Sequence, residues 1–348
     1  MRELLAYSGV STKLRAMQSR LFTREEYLEL GAAENVSGAL EYLRHHPGYE
    51  SVFAQYEGQE LHREEIEGIL DESIAIDFQK IYRFGSVKQR KFLDMYFTKY
   101  EVSVLKKCIG MIFDHRDVCI DLSFFQDFFR KHSRLDLERL GECRDVDALL
   151  GAVVGTKYET CISKVKERGG NSPWDYGVAL DYEYFINFWN QRKKYLKGDA
   201  LDCITMIYGV KMELLDIQWI ARGKKYYHMS PHELYALMLP TGVHLQRREL
   251  RRLTEAATME EFQNLLSETY YGRHYREFDT EHIEQLYDKI RQEIQHSLVR
   301  KKPYSIASVI SYIFDKECEI DRLTSILECV RYGIDVQNTD IVQLQGGV

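Results

Sequence analysis

The sequence predicts an all-α protein made of three related helical units, and three observations carry that prediction. The first is a long amphipathic run near the C-terminus. Ile306, Val309, Ile310, Ile313, Ile320, Leu323, Ile326, Leu327 and Val330 recur at helical intervals, Pro303 opens the run, and Gly333 stands where a left-handed C-cap is expected. At 1.5 Å per residue, a span of about 30 residues extends about 45 Å, enough for a structural spine. The second is that its grammar recurs upstream. Glu101-Val-Ser-Val-Leu105, Glu213-Leu-Leu-Asp-Ile217 and Glu319-Ile-Asp-Arg-Leu323 share a glutamate, an adjacent aliphatic residue and a second aliphatic four positions on. The third is a compact block that also occurs three times. Tyr27/Leu30/Val36/Leu43/Tyr49 matches Leu137/Leu140/Val146/Val153/Tyr158 and Leu250/Leu253/Met259/Leu266/Tyr271, apart from one residue before the final tyrosine.

The order of the copies fixes the expected closure. Long helix then compact block runs through about residues 74–160 and again through 179–274, whereas the third long helix ends the chain and its block begins it. The division is therefore residues 1–50 as the compact block of the third unit, 51–168 as the first unit and 169–276 as the second. Residues 277–334 supply the long helices of the third unit, packing on 1–50, and 335–348 form a tail. The body expected is ring-like or funnel-like, with approximate threefold symmetry and adjacent termini; a two-ended solenoid would leave its outer units uncapped.

Along the chain, residues 4–21 read as a helix, and Thr23 with Glu26 forms a capping box for the next. Asn35 or Glu34 starts a helix that stops at His45-His-Pro-Gly48. Leu61 to Leu70, Ile74 to Phe84 and Lys88 to Phe113 follow, with a break at Gly85-Ser86. Phe124, Phe125, Phe128 and Phe129 mark an apolar helix. Glu167-Arg-Gly-Gly-Asn-Ser-Pro-Trp-Asp-Tyr-Gly177 is the clearest breaker cluster, after which Ala179 to Tyr195 and Asp199 to Tyr227 repeat the long pair. Ser230-Pro231 opens another helix, 280–298 is a polar helix, and the tail after Ile334 is poorly ordered or docks as a short extended segment.

Composition excludes several classes. A formal charge of −7 argues against general nucleic-acid binding, and no apolar run approaches the roughly 20 residues of a spanning helix. The start lacks the apolar core of a secretory signal, and seven cysteines without framework spacing fit a reducing compartment, so the expected location is the cytoplasm. No Gly-x-x-x-x-Gly-Lys-Ser/Thr loop is present, so neither nucleotide nor other cofactor is expected. Cys108, His115 and Cys119 have loosely ligand-like spacing but lack a fourth ligand, His45-His46 sits at a helix end, and His274 has no partner nearby in sequence. No catalytic or metal residue is assigned.

Two groups of charged residues are candidates for partner binding. Arg247, Arg248, Arg251 and Arg252 are dense enough to dock on an acidic surface, beyond the helix-end role that explains Arg192-Lys-Lys194, Arg222-Gly-Lys-Lys225 and Arg300-Lys-Lys302. Glu101, Glu213 and Glu319, at matching positions of three copies, would converge in a threefold body and form a negative socket. The structural alternative is an internal role, such as a helical pairing of Glu319 with Arg322.

The opening Tyr7…Lys13-Leu-Arg-Ala-Met17…Leu21-Phe-Thr…Tyr27…Leu30 and the closing Lys316-Glu-Cys-Glu-Ile320…Leu323…Ile326-Leu-Glu…Tyr332-Gly333 resemble the two ends of the V-type ATPase subunit d family, whose prokaryotic members are the C subunits of V/A-type ATPases. The resemblance extends over the whole chain in length and threefold repetition. It implies an all-α funnel without an active site, coupling the rotor shaft to the membrane proteolipid ring of a rotary proton- or sodium-translocating ATPase. It also implies a place peripheral to the membrane, with shaft subunits and ring as partners and no small-molecule ligand. A soluble all-α scaffold or regulator of another complex is the alternative that helical repeats leave open.

Overall fold

Polar residues at the helix starts set most of the boundaries. In a computed structural model, which describes residues 2–59, 61–118, 126–275, 283–339 and 341, every regular element among the described residues is helical and none is a strand. Thr23 caps Arg24–Gly31 through a capping box with Glu26, and Asn35 caps Val36–His45. Asp136, Asp145, Thr258 and Thr269 likewise accept backbone N–H bonds at the starts of Leu137–Gly141, Val146–Ala152, Met259–Ser267 and Tyr270–His274. Gly333 closes Ile306–Tyr332 at φ 65°, and Ile334 N–H then bonds to Cys329 O, as a left-handed cap requires.

Several boundaries differ from those expected of the sequence. The runs 61–70 and 74–84 are one helix, Arg63–Phe84, because nothing between Leu70 and Ile74 breaks the backbone ladder. Pro173–Tyr195 begins inside the supposed breaker cluster. Ser172 is its N-cap, Pro173 needs no helical N–H at that position, and Asp175 completes the capping box. After Ile334 the chain makes a short 3-10 turn, Val336–Asn338, whose buried Val336 packs on Gly31; an added Cβ there would collide with the valine. The spine is also less one-sided than expected. All nine positions from Ile306 to Phe314 are buried, so this first third of the helix is enclosed around its circumference. Phe124, Phe125, Cys119 and residues 280–282 lie outside the described residues.

The described residues gather in two compact units. Unit 1 draws on Met1–Arg90, Asp121–Lys131 and Gln295–Val348. Here Ile306–Tyr332 packs against Arg2–Gln18, Arg24–Gly31, Val36–His45 and Arg63–Phe84. The core joins Tyr27, Leu30, Leu43, Tyr49 and Phe53 to Leu323, Ile326 and Leu327. Unit 2 draws on Lys91–Ile120 and His132–Ile294. Its helix Gly198–Lys225 packs on Pro173–Tyr195, Arg247–Glu255 and Met259–Ser267, around Leu214, Ile217, Leu250, Leu253, Phe262 and Leu266. An aromatic stack, Phe188 on Tyr208 at 3.8 Å with Phe92 edge-on to Phe188, braces the same unit.

Leu323 and Ile217 are fully buried in their respective cores. Truncating either to alanine should cost about 2–5 kcal/mol by loss of transfer energy and creation of a cavity. Urea unfolding of Leu323→Ala and Ile217→Ala, compared with wild type, measures this.

Candidate functional site

The repeated glutamates and the repeated final tyrosines, which the sequence shows as separate patterns, meet as hydrogen-bonded pairs. Tyr49 Oη donates to Glu319 Oε1 at 2.7 Å, Tyr158 Oη to Glu101 Oε2 at 2.8 Å, and Tyr271 Oη to Glu213 Oε2 at 2.7 Å. All six residues are buried. Burial, reinforced by the glutamate alongside, raises each phenol well above its ordinary value and so keeps it a donor.

Each glutamate also holds the chain segment entering its compact block. Glu319 Oε2 accepts Phe22 N–H at 2.5 Å, one residue before the Thr23 cap. Glu213 accepts the successive N–H groups of Val243, His244 and Leu245 at 2.6, 2.9 and 3.1 Å, just before Arg247–Glu255. Glu101 accepts Ser133 Oγ at 2.5 Å, and that hydroxyl in turn accepts Leu135 N–H ahead of the Asp136 cap. One carboxyl thus fastens the entrance and the final tyrosine of a block to one long helix.

The surroundings of the three differ. Lys316 donates to Glu319 at 2.7 Å in an ion pair whose members are both buried, and its Nζ lies 3.7 Å from the centre of the Tyr49 ring. Lys157, part-exposed, pairs with Glu101 at 2.7 Å. Glu213 is held instead by three main-chain amides and a phenol. Glu319 therefore pairs with Lys316 rather than with Arg322. The guanidinium of Arg322 lies 5.9 Å from the Tyr27 ring centre.

One residue of this neighbourhood is missing from the candidates that the sequence suggests. Asp216, one turn from Glu213, is fully buried, accepts Leu239 N–H on Oδ1 at 3.0 Å and has no partner on Oδ2. Burial raises its carboxyl well above the usual 3.8; the Leu239 bond opposes this and Glu213 adds to it. The available signal was an aspartate embedded in the apolar run Glu213-Leu-Leu-Asp-Ile-Gln-Trp-Ile220.

The other candidates fall elsewhere. Arg247, Arg248, Arg251 and Arg252 lie on Arg247–Glu255 and are exposed apart from the helix's inward face, with Arg251 paired to Glu255 and Arg252 to Glu268. Glu101, Glu213 and Glu319 are buried and hydrogen-bonded within their units, the arrangement expected of the internal role. His46 is buried and stacks on Phe22 at 3.9 Å, while His244 and His274 both stack on Tyr270. Among the described residues no three His, Cys, Asp or Glu side chains are placed to hold a metal ion. In unit 2, Glu101, Lys157 and Tyr158 border a cleft of about 280 Å³ together with Asp94 and His132.

Comparison with known proteins places the chain. Residues 10–340 match the family described as ATP synthase (C/AC39) subunit. The chain is similar to the A-type ATP synthase C subunit of Methanosphaera stadtmanae, 19% identical over 98% of this chain and 88% of that one. It is likewise similar to the corresponding protein of Thermococcus kodakarensis, at 21% over 94% and 88%. For that of Methanocaldococcus jannaschii the values are 23% over 94% and 83%.

Two stability measurements test the glutamate joint. Glu213→Ala orphans three amides and a phenol and should cost roughly 3–6 kcal/mol, whereas Tyr271→Phe, which removes only the hydroxyl, should cost about 1–2 kcal/mol. Equal losses in urea would show that the three amide bonds add nothing beyond the bond to the phenol. Asp216 predicts a pH dependence. Its folded value is raised, so its contribution is fully present below the unfolded value of 3.8 and is lost as pH rises through the folded value. Asp216→Asn should stabilise the protein at neutral pH and flatten this fall, as read from unfolding free energies across a pH series.

Proposed function

This chain belongs to the ATP synthase (C/AC39) subunit family, and from that premise we propose that it is a non-catalytic subunit of a rotary ion-translocating ATPase, coupling the rotor shaft to the membrane proteolipid ring. The observation that carries the reading is the threefold use of one buried joint, in which a glutamate locks a compact block to a long helix. A part that transmits torque must not shear internally. Directional bonds inside a close-packed core resist sliding better than apolar contact alone.

No helix among the described residues is long and apolar enough to cross a membrane. In this reading the chain reaches the bilayer through the ring and works from the cytoplasmic side. Arg247, Arg248, Arg251 and Arg252 supply a docking face for an acidic surface of a partner subunit, where charge complementarity fixes orientation and speeds assembly. The three glutamates serve the scaffold that holds this face.

Purification of the tagged chain in gentle detergent should bring down shaft and proteolipid subunits. Their absence, with the ATPase present in the same extract, would overturn the coupling role. Changing all four arginines to glutamate should weaken association with the partner subunits in low salt and leave thermal unfolding within a few degrees of wild type. Changing Glu101, Glu213 and Glu319 to lysine should instead collapse stability. Undiminished association of the arginine variant would remove this face from the interface.

A further inference from the structure

Acidic and basic residues are segregated in unit 1. Residues 4–24, 78–90 and 295–314 contain eleven Lys and Arg and no Asp or Glu, in a chain whose net charge is −7. The fold brings the three stretches together. Lys13 lies over the ring of Phe84 at 5.8 Å, Arg15 lies over the ring of Tyr304 at 6.0 Å, and Lys13, Arg20 and Lys80 line one cleft together with Asp77 and Lys316. Within that cleft Asp77 is engaged by Lys80 and by Tyr312 Oη.

The corner between Arg63–Phe84 and the helix that follows it is an exposed part of this surface. Phe84 is 56% and Val87 71% exposed, and Arg83, Lys88 and Arg90 around them are exposed as well. Hydrogen bonds brace the corner. Gly85 N–H bonds to Tyr82 O, Gln89 Oε1 accepts Ser86 N–H at 2.7 Å, and the Arg90 guanidinium donates to the carbonyls of Tyr82 and Arg83. Helix C-termini attract cations, which accounts for Arg83 and Arg90. It accounts neither for the lack of acids across three separate stretches nor for two large apolar side chains held outward among the cations.

We propose that this corner of unit 1 is a docking surface for an anionic phospholipid bilayer, with Phe84 and Val87 entering the headgroup boundary and Lys13, Arg15, Arg83, Lys88 and Arg300 facing lipid phosphates. Aromatic and aliphatic side chains set among Lys and Arg suit that boundary, where each basic residue near an anionic leaflet adds to binding and apolar area adds the rest. An acidic protein would satisfy the cations, and the outward Phe84 and Val87 favour a bilayer, whose headgroup boundary takes apolar side chains of any shape. The proposal rests on the charge pattern of unit 1 and is independent of the coupling role, so failure of one leaves the other standing.

The test is co-flotation of the full-length chain with vesicles of phosphatidylcholine alone or mixed with phosphatidylserine. Wild type should float with the mixed vesicles, much less with the neutral ones, and detach as salt is raised. Arg83→Glu/Lys88→Glu should weaken this binding roughly tenfold or more. Phe84→Ser/Val87→Ser should also weaken it while keeping its salt dependence, and Lys193→Glu/Lys194→Glu, on exposed residues of unit 2, should not change it. Circular dichroism melts of each variant establish that the fold is intact. Absence of flotation at low salt, or flotation unchanged in both corner variants, would overturn the proposal. So would a wild type that ignores the vesicles but is retained on immobilised polyglutamate through Arg83 and Lys88, an outcome that assigns the surface to an acidic protein.

Discussion

The structure depends on a carboxyl group buried where a long helix meets a compact block. Such a group is costly to bury unless its lone pairs are used, and each partner that is missing adds to the cost. That requirement explains why the partners recur as a set. The final tyrosine of the block supplies a neutral donor, and the segment entering the block supplies N–H or O–H groups. Because these donors come from the two ends of one block, the carboxyl can be satisfied only when the block is folded and seated. Local folding and tertiary docking are thereby coupled.

The three joints reach the same geometry by different electrostatics. Around Glu319 a buried lysine supplies the opposite charge, and the Tyr49 ring lies against its ammonium group. Around Glu101 the lysine is half in solvent, where an ion pair contributes less and is screened. Glu213 is held by three consecutive amides, a concave arrangement of fixed dipoles that moves little and loses little side-chain entropy. Removing Lys316 would leave a buried group short of a partner, whereas removing Lys157 would mostly admit water. The shared element is the position of the oxygens, and the source of positive potential is interchangeable.

Much of this was legible in the sequence. The all-α fold followed from helical periodicity, a few helix starts from the capping residues Thr23, Asn35 and Ser230, and both halves of the joint from repetition. Their pairing was not legible, since periodicity reports which face of a helix is apolar and carries no information on contacts 57, 58 or 270 residues apart. The choice of Lys316 over Arg322 for Glu319 was hidden for a related reason. Both lie three residues from the glutamate on the same helix, and they differ in the ring beside them, Tyr49 for Lys316 and Tyr27 for Arg322. Ser172-Pro173 reads as a break because glycines precede it, although the same two residues are strong helix starters. Asp216 does not stand out because a lone acid on a long helix is ordinarily solvated.

Net charge is a weak guide to this chain because it averages over a segregated distribution. The acids that define the joints are buried and internally bonded, so they project little field outward. Several cations of unit 1, among them Arg15, Arg83, Arg90 and Arg300, stand near helix ends and corners, where main-chain carbonyls offset their mutual repulsion. Arg90 shows how, since its guanidinium rests on the last carbonyls of the preceding helix and over the Tyr82 ring, which tightens the turn while leaving positive potential at its surface. A chain of −7 can therefore present a positive face without an excess of basic residues, provided that its acids are placed inside or elsewhere.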